Sequence, residues 1–217
     1  MTRAIKTVLL TAFEPFGGDR VNASEQAVRS LDGRTIGGHR VVVAILPCRF
    51  GEAGEALARA MRGTRPSLVI ACGEAAGRPE ITIERVAINV DDARIADNAG
   101  KRPIDRPIAA RGPVGYWSSL PIKAIAVALA KKNIASAVSQ SAGTFVCNHV
   151  FYELMRMLAR RRGVRGGFVH VPCTPSQAKP NGPSMPTETT TAAIEIVIAT
   201  ALKVRRDVRV TGGATHG

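Results

Sequence analysis

A chain of 217 residues, 45% hydrophobic and 22% charged, is long enough to bury a core without disulfide or metal staples. It is not composed like a disordered segment, and it contains no run apolar enough to cross a bilayer. The net charge of +13 comes from 30 Lys and Arg against 17 Asp and Glu, but the basic clusters (101–111, 156–165, 203–209) are dispersed and aromatics are only 4%. That pattern suits a solvated surface better than a nucleic-acid site, which needs stacking side chains or a recognisable binding motif.

The start of the chain passes directly into an apolar strand carrying polar Thr11 and Glu14, unlike the core of a signal peptide. Lys6–Phe13 reads as a buried strand, followed by the turn-rich Glu14-Pro-Phe-Gly-Gly18 and a helix over 23–31 that Asn22 is placed to cap. Strand His39–Leu46, helix 51–61 and strand 67–73 follow at a pace that implies parallel strands joined by crossovers. The segment 81–90 reads as one further strand. Residues 91–115 form a long connection rich in Pro and charge, of the kind that is functional or mobile. Helix 121–131, strand 134–138, a helix beginning near Cys147, strand 166–173 and a last helix over 187–206 complete the core. Pro-rich 174–186 reads as a loop able to cover a site. The expected architecture is a three-layer α/β/α sandwich around a twisted, mostly parallel sheet. One domain spans 1–207, with a flexible tail at 208–217. Four cysteines, at 48, 72, 147 and 173, with no CxxC pair, suit free thiols in a reducing cytoplasm.

Chemistry concentrates around Ser141-Ala-Gly-Thr-Phe-Val-Cys147-Asn-His-Val-Phe-Tyr152. A cysteine at a helix start feels unpaired N–H groups and the positive end of the helix dipole, both of which favour thiolate; the alternative is an inert, packed thiol. A nucleophilic thiol needs a base and the base needs an orienting group. His170, flanked by valines, is either that base or a core histidine. It follows Cys147 by one helix and one strand, so a parallel sheet would bring both to the C-terminal strand ends. Glu84 lies in an apolar run next to Arg85, and is either the orienting carboxylate or half of a surface ion pair. A zinc site from Cys147, His149, His170 and Cys173 is the weaker reading, because valines offer His170 little support as a ligand; no metal and no cofactor is expected.

These residues stand in blocks that resemble pyroglutamyl peptidase type I, a family of cysteine peptidases, over residues 9–201. The strongest are Gly73-Glu-Ala-Ala-Gly-Arg-Pro-Glu-Ile-Thr-Ile-Glu-Arg-Val-Ala-Ile-Asn89 and the Cys147 block, with support from Thr11-Ala-Phe-Glu-Pro-Phe-Gly-Gly18, Asp91-Asp-Ala-Arg94 and Gly167-Phe-Val-His-Val-Pro172. The resemblance implies Cys147 as nucleophile, His170 as general base and then acid, and Glu84 as its orienting partner. It implies a substrate peptide with an N-terminal pyroglutamate, whose lactam ring meets Phe13, Phe16 and Phe145, with Asn22, Glu74, Arg94 and Val146 also in the substrate pocket. It implies commonly a homotetramer. Membrane attachment and dedicated nucleic-acid binding are not expected.

The chain departs from the family in places: Asn22-Ala-Ser24 stands where Asn-Pro-Ser is usual, and Glu74 where glutamine is common. Cys48 and Cys173 also take the place of other residues. If Glu74 lies beside Cys147 it disfavours the thiolate; if it points to solvent or pairs with Arg78 it does not. The competing class is a basic binding protein on the same scaffold with decayed activity.

Overall fold

A computed structural model describes residues 6–212. Nine strands and five helices follow in the order β1 (Lys6–Phe13), α1 (Ala23–Arg29), β2 (Thr35–Ile36), β3 (His39–Leu46), α2 (Glu52–Thr64), β4 (Leu68–Glu74), β5 (Ile81–Glu84), β6 (Val86–Ile88), β7 (Gly115–Trp117), α3 (Ile122–Ala130), β8 (Ser136–Ser139), α4 (Val146–Leu158), β9 (Arg165–Val171) and α5 (Thr187–Lys203). Seven strands form one sheet in the order β2-β3-β1-β4-β9-β5-β8, and β6 and β7 pair apart from it. The strands of the centre bury both faces, which is why they read as continuous apolar runs. Along β1, Val8, Leu10 and Ala12 enter the core under α1, α3 and α5, whereas Leu9 and Phe13 enter the core under α2 and α4. Two helical layers on one sheet make the expected α/β/α sandwich.

The parallel arrangement holds for β3, β1, β4 and β9. It fails at the next strand. β5 is antiparallel to β9 and parallel to β8, so the strand leading to Cys147 runs against the strand carrying His170, with β5 between them. Cys147 therefore does not meet His170 by the parallel crossover that the order of elements suggests. The segment 81–90 is also two strands. The break falls at Arg85, whose N–H donates to Ser139 O at 2.9 Å and whose carbonyl accepts from Ser118 N at 2.8 Å, so the chain leaves the main sheet for the β6–β7 ribbon.

Some of the basic residues hold the fold together. Arg165 donates to the carbonyls of Val204 and Ala201 at the end of α5, where a cation meets the negative end of the helix dipole. α3 begins at Pro121 with no side-chain cap of its own; instead Asp207 accepts from Lys123 N at 3.1 Å and Ala124 N at 2.9 Å. The segment expected as a tail continues from there along the sheet edge, where Gly212 O accepts from Arg85 Nη2 at 2.5 Å. Residues 213–217 lie outside the described residues.

Candidate active site

The phenylalanine-rich core beneath α4 positions the site. Phe168 of β9 packs against Phe13 at 6.3 Å between ring centroids, Phe151 of α4 at 5.8 Å and His170 at 4.8 Å. Truncating a ring so buried typically costs about 3–5 kcal/mol. Cys147, the second residue of α4, comes down on this cluster where β4 ends. A β-carbon placed on Gly73 would lie 2.8 Å from Cys147 Sγ and 2.9 Å from the Phe168 ring. Glycine at 73 is what allows the sulphur to lie against the sheet, at the residue paired in register with His170.

Two polar side chains after the cysteine fix the start of α4. Asn148 accepts from Ile88 N at 3.0 Å and donates to the carbonyls of Ile88 and Val90. His149 Nδ1 donates to Asp91 Oδ2 at 2.8 Å, and its Nε2 accepts from Gly51 N at 3.3 Å. His149 is thus committed to structure. Cys173 Sγ donates to Pro183 O at 3.4 Å, so His149 and Cys173, two of the four residues considered for zinc, have separate partners. Among the described residues no cluster of three or more His, Cys, Asp or Glu is arranged to hold a metal.

His170 and Glu84 do meet. Thr82 of β5 lies opposite His170, which sets Glu84 on the same face of the sheet, and His170 Nδ1 donates to Glu84 Oε1 at 2.8 Å. With Nδ1 engaged, Nε2 is the nitrogen available to a proton in the cleft. Glu84 is fully buried and its partner is Arg78, at 2.8 Å, not the adjacent Arg85. Burial alone would raise its pKa; hydrogen bonds with His170, Ser139 and Arg78 and the charge of His170 bring it below the ordinary carboxylate value.

The thiol departs from the expectation drawn from its place on the helix. Burial raises the Cys147 pKa well above its ordinary value, Cys48, Glu84 and Glu74 add to the rise, and Arg78 opposes it. Desolvation thus works against the thiolate that the helix start favours. A base within the site is then a requirement for reaction.

Cys147 and His170 share the wall of a cleft of about 480 Å³ with Phe16, Glu74, Arg78, Asp92, Arg94, Phe145 and the 142–144 loop. Phe16 and Phe145 stand at 6.1 Å, tilted by 40°. Three residues expected in the pocket stand elsewhere. Phe13 is 1% exposed and supports Phe168 from behind. Asn22 caps α1 by accepting from Ser24 N at 2.9 Å and donates to Glu14 O. The Val146 side chain is fully buried, leaving its backbone as the part near the cleft. Gly73, Arg78 and Asp92 also belong to the site, and only long-range contacts give them their places.

Glu74 neither faces solvent nor pairs with Arg78. It is 6% exposed, accepts from Ala23 N at 2.7 Å and from Gln177 Nε2 at 3.0 Å, and so ties the 174–186 loop to the start of α1. Its charge disfavours the Cys147 thiolate. Replacing it with a neutral isostere removes that penalty and lowers the thiol pKa. Glu74→Gln should therefore shift the pH dependence of Cys147 alkylation to lower pH. The shift should be small, because burial is the larger cause; an unmoved profile would leave Glu74 with a tethering role only.

A thiol that shares an open cleft with an imidazole oriented by a buried carboxylate, at an uncapped helix start, defines a cysteine hydrolase of the acyl-transfer type. The family model described as Pyroglutamyl peptidase matches residues 6–204, and the chain belongs to that family. It is 51% identical over 214 residues to a pyrrolidone-carboxylate peptidase of Escherichia fergusonii, covering 98% of this chain and 100% of the relative. It is 54% identical over 211 residues to one of Klebsiella pneumoniae, covering 96% and 99%. The crystal structure of pyroglutamyl peptidase I from Bacillus amyloliquefaciens superposes with a TM-score of 0.93 at 42% identity, covering 95% of this chain and 99% of that one. Pyrrolidone carboxyl peptidase from Thermococcus litoralis gives 0.91 at 37%, covering 95% and 99%.

Proposed function

We propose that the chain is a pyroglutamyl peptidase I, a cysteine peptidase that removes an N-terminal pyroglutamyl residue from peptides through a thioester. The observation that carries this reading is the line Glu84–His170 opening onto the cleft that holds Cys147, in a chain of this family. His170 Nε2 takes the thiol proton as Sγ attacks the carbonyl next to the lactam ring. The oxyanion forms at the N–H groups of the first turn of α4, which have no intrahelical acceptor and no side-chain cap. His170 then protonates the leaving amine, and water cleaves the thioester with His170 again as base. Phe16 and Phe145 offer aromatic faces to a flat, neutral ring, and a charged N-terminus would lose its hydration against them without a partner. Arg94, exposed in the cleft wall, is placed to meet negative charge.

The same reading makes 1–207 one peptidase domain that acts in the cytoplasm, consistent with four free cysteines. It also makes the enzyme a homo-oligomer, a tetramer as in the family resemblance. Ile104, Val114 and Trp117, 72%, 87% and 70% exposed, are apolar surface suited to a subunit contact. No helix among the described residues is long and apolar enough to cross a membrane. The test is direct. Purified protein should release aminocoumarin from its pyroglutamyl amide and leave the alanyl amide at least about 100-fold more slowly cleaved. Equal rates on both, or none on either, would reject the assignment.

A further inference from the structure

Glu84 Oε1 accepts from His170 Nδ1 at 2.8 Å, from Arg78 Nη1 at 2.8 Å and, at the longer distance of 3.5 Å, from the Thr82 hydroxyl. The same Nη1 donates to the Thr82 hydroxyl at 2.6 Å. The other arm, Nη2, donates to Ser141 O at 3.3 Å, in the loop that runs from β8 into α4 and so delivers Cys147. One guanidinium therefore touches both the carboxylate that orients the base and the backbone that carries the nucleophile. It does so from the wall of the cleft itself.

We propose that Arg78 is a positioning residue of this active site: it holds Glu84 as an ionised hydrogen-bond acceptor for His170 and locks the 140–145 loop so that Cys147 meets His170. The inference rests on the reading of Cys147, His170 and Glu84 as the catalytic set. Two physical arguments support it. Glu84 is completely buried while the Arg78 side chain is 32% exposed. Burial pushes the Glu84 carboxyl toward its neutral form; His170 opposes this most, and the Arg78 hydrogen bond adds to the opposition. A protonated Glu84 would no longer be an acceptor-only partner that fixes the imidazole tautomer. Arginine is always charged and has a fork with donors in two directions, so it can serve Glu84 and Ser141 together; a lysine ammonium has the charge without that planar reach.

The groups facing the sulphur are Glu74 of β4, Glu84 of β5, His170 of β9, Cys48 of the β3–α2 connection and Arg78, with Asp92 and Arg94 farther along the cleft wall. Of these, Arg78 is a cation that favours the Cys147 thiolate. Removing its charge disfavours the thiolate and moves the thiol titration to higher pH.

Wild type, Arg78→Met and Arg78→Lys are compared by the pH dependence of Cys147 alkylation with iodoacetamide, which needs no turnover, and by kcat and KM on pyroglutamyl-aminocoumarin. Arg78→Met should alkylate along a profile moved to higher pH and lose roughly 30-fold in kcat with KM changed less than about twofold. Arg78→Lys should restore the alkylation profile while kcat stays roughly fivefold low, because the Ser141 tether is missing. Circular dichroism checks the fold, and the lysine variant carries the test if the methionine variant does not fold. An unmoved alkylation profile in Arg78→Met, a lysine variant displaced like the methionine one, or a loss confined to KM would overturn the proposal; the last would make Arg78 a substrate contact. Absence of turnover in the wild type would instead reject the peptidase reading, and the alkylation profiles would still report on Arg78.

Discussion

Cys147→Ala should leave the protein folded and reduce pyroglutamyl hydrolysis by at least about 10⁴-fold, to the level of the assay background. In the proposed mechanism Sγ is the atom that attacks, and no other thiol is placed to replace it. Burial pushes Cys48 and Cys72 up to about 12, and Cys173 is buried and bonded to Pro183 O. Cys147→Ser should be equally inactive, since a hydroxyl in this desolvated site is a far weaker acid than the thiol it replaces. The cost to folding should stay at about 1 kcal/mol, because the alanine β-carbon keeps the helix and only the packing of the sulphur against Gly73 and the neighbouring core is lost. Alkylation gives an independent check. Cys147 is half-buried while the other three thiols are buried, so iodoacetamide should modify one site rapidly in the wild type and none rapidly in Cys147→Ala. Retained peptidase activity in the alanine variant would mean that the nucleophile has been assigned to the wrong residue.

The reason for that reactivity is not the one the local sequence offers. Cys147 does stand in the first turn of a helix, as the spacing of Val150, Phe151, Leu154 and Leu158 implies. Whether the dipole or desolvation prevails depends on what packs above the sulphur, namely Gly73 and Phe168, about 74 and 21 residues away in the chain as counted along the sequence. Periodicity reports burial and type of element, and accordingly it finds the long strands, the helices and the three layers, but neither the short β2 and β7 nor the break between β5 and β6. It is blind to strand direction where a hairpin and a crossover leave similar patterns, which is how β5 and β8 came to oppose β9. Polar contacts of long range were equally hidden. Arg78 rather than Arg85 meets Glu84, and Asp207 caps a helix that begins 85 residues earlier in the numbering, at Ile122. The family resemblance supplied Cys147, His170 and Glu84 together, and the hydrogen bond of 2.8 Å between the last two is the geometry that the resemblance alone does not contain.

His170→Ala should lose roughly 10³–10⁴-fold in kcat while remaining folded. The imidazole is 4% exposed, its face packs on Phe168 and its Nδ1 is spent on Glu84, so deletion leaves a hole with one open side, the side facing the cleft. The other histidine near the sulphur is engaged. His149, two residues from the nucleophile, has Nδ1 on Asp91 and Nε2 on Gly51 N, and the charge of Glu84 is already held by Arg78. Because burial disfavours the Cys147 thiolate, the residual rate of the variant should climb with pH as hydroxide replaces the missing base. Added imidazole should enter the hole from the cleft and restore part of the rate in proportion to its concentration, an effect a merely unfolded variant would not show. A His170→Ala enzyme within about tenfold of the wild type, or one whose rate is indifferent to both imidazole and pH, would remove His170 from the mechanism and leave its bond to Glu84 as a feature of the core.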